Sequence, residues 1–112
     1  METLFAKIVR KEIPADIVYE DEDIVAFRDI HPVAPTHILL IPKATHLAKL
    51  SAASPSDSTL LGKLMLAANK VAKQEGLTDF RIVINNGEGA GQSVFHLHVH
   101  LIGGRALSWP PG

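Results

Sequence analysis

Three histidines, His96, His98 and His100, alternate with apolar residues in the stretch VFHLHVHLI, Val94 to Ile102. In a strand, successive side chains point to opposite faces, so the three imidazoles share one face. Leu97, Val99 and Leu101 take the other, against the helices. Alternate strand positions lie roughly 6.5–7 Å apart, so neighbouring rings can reach one small ligand. Imidazole is both the commonest metal ligand and a good nucleophile near neutrality. A pair of such histidines with a third can make a catalytic zinc site, and His37 could add a fourth ligand. Spacing alone leaves metal and metal-free catalysis open. A chance row is the weakest reading, since the chain has only six histidines.

Two neighbouring features favour the metal-free reading. Gly87, Gly89 and Gly91 precede Gln92 and Ser93 just before the row. Glycines allow backbone N–H groups to approach an anion, and a serine hydroxyl can donate to a phosphate oxygen or a departing group. This is no Walker A loop, because the Gly-Lys-Ser/Thr ending is missing and a strand follows. Asp29 closes a strand beside a proline loop, where a carboxylate could hold sugar hydroxyls. Phosphate plus sugar suggests a nucleotide.

The elements that must position these groups are readable from periodicity. Thr3 caps a short helix with Leu4, Phe5, Ile8 and Val9 on one face, stopped by Pro14. Ile17–Glu20 and Ile24–Asp29 form a hairpin across the turn Asp21-Glu-Asp. His31-Pro-Val-Ala-Pro is a loop, and His37–Pro42 a buried strand. The longest helix begins near Ser56-Asp57 and ends before Gly76, with Leu60, Leu61, Leu64, Ala68, Val71 and Ala72 at helical spacing. Phe80–Asn85 is the strand before the glycine loop. Helix, strands, helix, strands predict an α+β fold with a mostly antiparallel sheet.

Composition limits the function. The 112 residues suffice for one domain, residues 1–112, with 46% hydrophobic and 21% charged residues. A formal charge of −1 argues against binding long nucleic acid or an anionic membrane. The chain lacks cysteine, which excludes disulfides and thiolate metal sites. Its charged N-terminus is not a secretory signal, and no apolar run is long enough to span a membrane, so a cytoplasmic protein is expected.

The row His96-Leu-His-Val-His-Leu-Ile fits every position of H-φ-H-φ-H-φ-φ, with φ apolar, and resembles the signature of the histidine triad family. Asp29-Ile-His-Pro-Val-Ala-Pro-Thr-His-Ile-Leu-Leu-Ile-Pro-Lys, Gly91-Gln-Ser and the ending Trp-Pro-Pro-Gly are similar to its nucleotide-binding protein branch. Nearly the whole chain takes part. His100 stands where the related galactose-1-phosphate uridylyltransferases carry glutamine, which argues against that branch. Phe95 and His31 replace residues found in some relatives, at positions without a chemical role.

The resemblance implies a five-stranded sheet with one long and one short helix, continued across a homodimer. It implies hydrolysis of purine nucleoside phosphoramidates without metal or other cofactor. His98 would be the nucleophile, with His37, His96 and His100 orienting it and stabilising the phosphate. Asp29 would bind ribose; Asn85 and the Gly91-Gln92-Ser93 segment would serve the phosphate. Phe5, Ile8, Ile13, Phe27, Ile30 and Leu39 would form the base pocket, and Trp109 would reach the partner's site. Loop N–H groups between Gly89 and Ser93, Asn85 and a protonated His100 would meet the phosphoryl oxygens, and Ser93 would protonate the leaving amine. Three rivals remain: a zinc hydrolase, a nucleotide-binding interaction module with vestigial catalysis, and a dinucleoside polyphosphate hydrolase.

Overall fold

The apolar run after the proline loop becomes the middle of the sheet. A computed structural model describes residues 2–112, and in it this run forms β3, Thr36–Pro42, buried along its whole length. The other strands are β1 (Ile17–Glu20), β2 (Ile24–Arg28), β4 (Phe80–Val83) and β5 (Val99–Gly103). All neighbours are antiparallel, in the order β1-β2-β3-β5-β4. The α+β architecture and the five-stranded sheet are as expected.

The sheet has two different faces. Ile24, Ala26, Ile38, Leu40, Val99 and Leu101 pack against α2, Ser58–Gln74, through Leu64, Ala67, Ala68, Val71 and Ala72. Opposite them, Val25, Phe27, Leu39 and Ile41 meet Phe5 and Ile8 of α1, Leu4–Val9. The period-2 alternation of the strands and the helical spacing of α2 thus lead to a sheet covered on both sides.

Both helix ends have a local cause. Thr3 Oγ1 accepts from the Ala6 N–H at 3.1 Å, capping α1 as expected. Pro14 does not stop this helix: it ends at Val9, and Lys11 adopts a positive φ of 62°. Helix α2 starts two residues later than expected, because Pro55–Asp57 forms a tight 3-10 turn closed by a Ser54/Asp57 capping box. It ends in a Schellman motif, with Leu77 N–H bonded to Ala72 O and Gly76 N–H to Lys73 O. Gly76, at φ 73°, takes the left-handed position assigned to it.

Four strand limits also differ, β3 starting at Thr36 rather than His37. β2 ends at Arg28 rather than Asp29, and β4 at Val83 rather than Asn85. The histidine strand begins only at Val99, so His96, at a bend, and His98 precede it outside the sheet. The last β3–β5 register pair is Leu40 with Val99. Further along β3, Pro42 has no N–H to offer, its carbonyl accepts from His96 Nε2, and the Leu97 N–H turns to Leu47 O instead.

Candidate active site

Register brings the histidines of two strands together. Leu39 pairs with His100 and His37 with Ile102, so His37 and His100 are diagonal neighbours on one face. Their rings meet at 2.9 Å, His37 Nε2 to His100 Nδ1. The His98 and His100 ring centroids are 5.1 Å apart, and Phe5 stands edge-on to His98 at 5.0 Å. His37, His96 and His98 are all buried, the last only 7% exposed.

Fixed partners decide where each proton sits. His98 Nδ1 lies 2.7 Å from His96 O, and a carbonyl only accepts, so Nδ1 carries the hydrogen. The Nε2 of neutral His98 is therefore a free lone pair. His96 Nε2 donates to Pro42 O at 2.7 Å in the same way. The Val33 N–H donates to His37 Nδ1 at 3.1 Å, which puts the His37 proton on Nε2, facing His100 Nδ1. His100 consequently carries its own hydrogen on Nε2. One ring thus presents a lone pair and its neighbour an N–H donor.

Burial favours the neutral form of His96, His98 and His100. Desolvation pushes His98 and His96 below the ordinary imidazole range, against the opposing pull of their carbonyl partners. His100 is pushed down to about 4, first by burial and then by His98 and His37. Mutual repulsion between the rings is thus secondary to the loss of water. A protonated His100 does not fit the resting site: it donates as a neutral ring.

A cleft of 670 Å³ opens over His98 and His100, while His96 and His37 do not line it. Phe5, Ile8, Ile13, Phe27 and Leu39 give it an apolar wall, with Asp29, Ser93, His98 and His100 among its polar groups. Ile30 also lines it but is 86% exposed, a rim residue. Asp29 Oδ1 accepts from the His31 N–H at 2.8 Å, and Oδ2 lies 3.4 Å from His37 Nε2.

The glycine loop differs from expectation in detail. The Gln92 side chain is buried, accepting from Gly87 N–H and donating to Ala48 O and Val94 O. It holds the loop and has no spare group for a ligand. The N–H groups of Ala90, Gly91 and Gln92 are likewise used within the loop, which removes them as phosphate donors. Gly91, at φ 99°, packs beside Asn85, whose Nδ2 lies 3.7 Å from where a Cβ would stand. Neither Asn85 nor Trp109 lines the cleft; Trp109 sits over Arg81 of β4, at 6.0 Å. Sequence reasoning missed Val33 and Pro42, because main-chain partners of side chains carry no residue-type signal.

Asp29, His37 and His100 each offer an atom within 4.8 Å of the others, the one such cluster among the described residues. It fits a metal poorly. His37 Nδ1 is committed to an amide donor, so freeing Nε2 as a ligand would need an imidazolate or a broken Val33 bond. His100 Nδ1 is already occupied by the His37 proton.

Residues 10–107 match the HIT domain family. The chain is 56% identical to the plant protein "Adenylylsulfatase HINT1" of Arabidopsis thaliana, over 98% of this chain and 76% of that one. It is also 56% identical to the "14 kDa zinc-binding protein" of Zea mays, over 98% and 88% respectively. Among solved structures, a HIT family hydrolase from Legionella pneumophila superposes with a TM-score of 0.96 at 50% identity, covering 99% of this chain and 100% of that one.

Proposed function

The chain belongs to the HIT domain family, and on that premise we propose that it is a metal-independent hydrolase of purine nucleoside 5′-phosphoramidates that works through a nucleotidyl-His98 intermediate. The observation that carries this is the His98 ring, which lines the cleft with its Nδ1–H tied to His96 O and its Nε2 lone pair uncommitted. The hydrolase names of the Arabidopsis and Legionella relatives agree with it.

In the first step the Nε2 lone pair attacks phosphorus, a P–Nε2 bond forms and the P–N bond to the amine breaks. The His96 carbonyl stabilises the positive charge that the nucleotidylated ring acquires. Amines leave poorly unless protonated, and the exposed, unbonded Ser93 hydroxyl at the cleft is placed to give its proton to the departing nitrogen. The His100 Nε2–H meets the charge on a non-bridging oxygen. Water then attacks phosphorus, the P–Nε2 bond breaks, one water proton returns to Ser93, and the nucleotide leaves with the hydroxyl. Asp29 holds the ribose and the Phe5/Phe27 wall the base.

Sulfate is a second leaving group to weigh, suggested by the name of the Arabidopsis relative. It departs as a stable anion and needs no proton, so it would not depend on Ser93. The zinc in the maize relative's name does not suit the Asp29-His37-His100 triplet, for the reasons of proton placement above. A homodimer is the form we favour: the outer edge of β4 is open, and Arg81 on that strand holds the tail through Ser108 O at 2.8 Å, leaving Trp109 available to a second copy. Steady-state hydrolysis of adenosine 5′-phosphoramidate, adenosine 5′-phosphosulfate and diadenosine triphosphate, with and without EDTA, tests the reading. Turnover of the phosphoramidate that survives chelation supports it. Activity that vanishes with EDTA and returns with zinc overturns it.

A further inference from the structure

We propose that Arg105 is a positioning residue that fixes proton placement in the histidine row through the main chain of Val33. The loop His31-Pro-Val-Ala-Pro lacks two backbone donors at Pro32 and Pro35, so few bonds can hold it. One is Val33 N–H to His37 Nδ1 at 3.1 Å. On the other side of the same residue, Arg105 Nε and Nη2 both donate to Val33 O, at 3.2 and 2.9 Å, while Nη1 donates to Ala106 O at 2.9 Å. The planar guanidinium thus clamps Val33 with two donors from a segment 72 residues away in the chain.

Gly104 makes this approach possible. It adopts φ +92°, and an added Cβ would stand 3.0 Å from Pro35 Cβ, so only glycine lets the chain turn there against the loop. Arg105 and Val33 line no part of the cleft, so their influence on it passes through His37.

The consequence is chemical. With Val33 held, His37 Nδ1 must accept, its Nε2–H points to His100 Nδ1, and His100, which lines the cleft, keeps its own hydrogen on Nε2. Without the clamp, Val33 can rotate away and His37 can move its proton to Nδ1. The His37 Nε2 and His100 Nδ1 lone pairs would then oppose each other at 2.9 Å. His100 would answer by taking its proton on Nδ1, and the cleft would lose a donor.

This deepens the hydrolase reading and rests on it for its kinetic half only. The test compares the unmutated protein with Arg105→Met, which keeps the aliphatic stem, and Arg105→Lys, which keeps one charged donor. Long-range ¹⁵N–¹H correlation of the imidazoles should show His37 as the Nε2–H form in the unmutated protein, a mixture in Arg105→Met, and an intermediate pattern in Arg105→Lys. For adenosine 5′-phosphoramidate, kcat should fall about three- to tenfold in Arg105→Met, the worth of one net hydrogen bond, with KM little changed. An unaltered His37 pattern in Arg105→Met overturns the proposal, as does a loss confined to KM. An unmutated protein with no turnover would count against the hydrolase reading alone, and the ring spectra would still decide the clamp.

Discussion

The two faces of the sheet are built from the same strands and do opposite things with burial. On the α2 face, Ile38, Leu40, Val99 and Leu101 meet Leu64 and Val71 in a wholly apolar layer. On the α1 face the same two strands turn His37, Leu39 and His100 toward a smaller cluster around Phe5 and Phe27. Removing water from aliphatic side chains stabilises the fold directly. Removing it from imidazoles costs stability when they ionise, and it is this that keeps His98 neutral and His100 near 4. One face supplies rigidity, and the other uses that rigidity to hold rings in chosen tautomers.

Substitutions should separate the faces. His98→Ala removes the lone pair and should lower kcat for the phosphoramidate by at least about a thousandfold, with the fold retained by circular dichroism. Residual turnover above that level would mean that another group attacks phosphorus. Leu64→Ala, on the opposite face, should cost about 2–5 kcal/mol in denaturant unfolding while the folded fraction keeps its turnover. An equal loss in both would deny that the faces have separate roles.

Acid should act through the histidine face. His96, His98 and His100 have folded pKa values below the unfolded value of about 6.5, so the unfolded chain binds more protons as pH falls. Their contribution to stability is therefore fully present above about pH 6.5 and is lost on acidification, the His100 part continuing to about 4. Denaturant midpoints measured from pH 7 to 4 should fall, and less steeply in His100→Gln. The acidic limb of turnover should lie below the pKa of free imidazole. The smallest effect is expected at the rim, where Ile30→Ala should change stability by less than about 0.5 kcal/mol and raise KM for the nucleotide. A large loss of stability there would mean that Ile30 is held by something beyond this chain.

Much of this organisation is legible in residue order. Short apolar runs bounded by turn residues gave β2 and β3, alternation gave the common side of His98 and His100, and helical spacing with Gly76 gave α2, because burial selects those patterns directly. The aromatic and aliphatic wall of the cleft, Phe5 to Leu39, came from kinship and lines the cleft in the structure. What stayed hidden depends on main-chain atoms, which every residue has. Pro42 O on His96, Val33 N–H on His37 and the inward-facing Gln92 are tertiary contacts without a motif. The late start of the histidine strand is of the same kind, since it follows from a proline on the neighbouring strand.

Rapid quenching of the protein with adenosine 5′-phosphoramidate, followed by mass spectrometry of the peptide containing Val94 to Ile102, bears most directly on the mechanism. An acid-labile adenylyl group on His98, absent from His98→Ala, is the outcome expected of an uncommitted Nε2 lone pair at the cleft. Product formed with no covalent species on any histidine, under conditions where an added standard adduct survives, would contradict it.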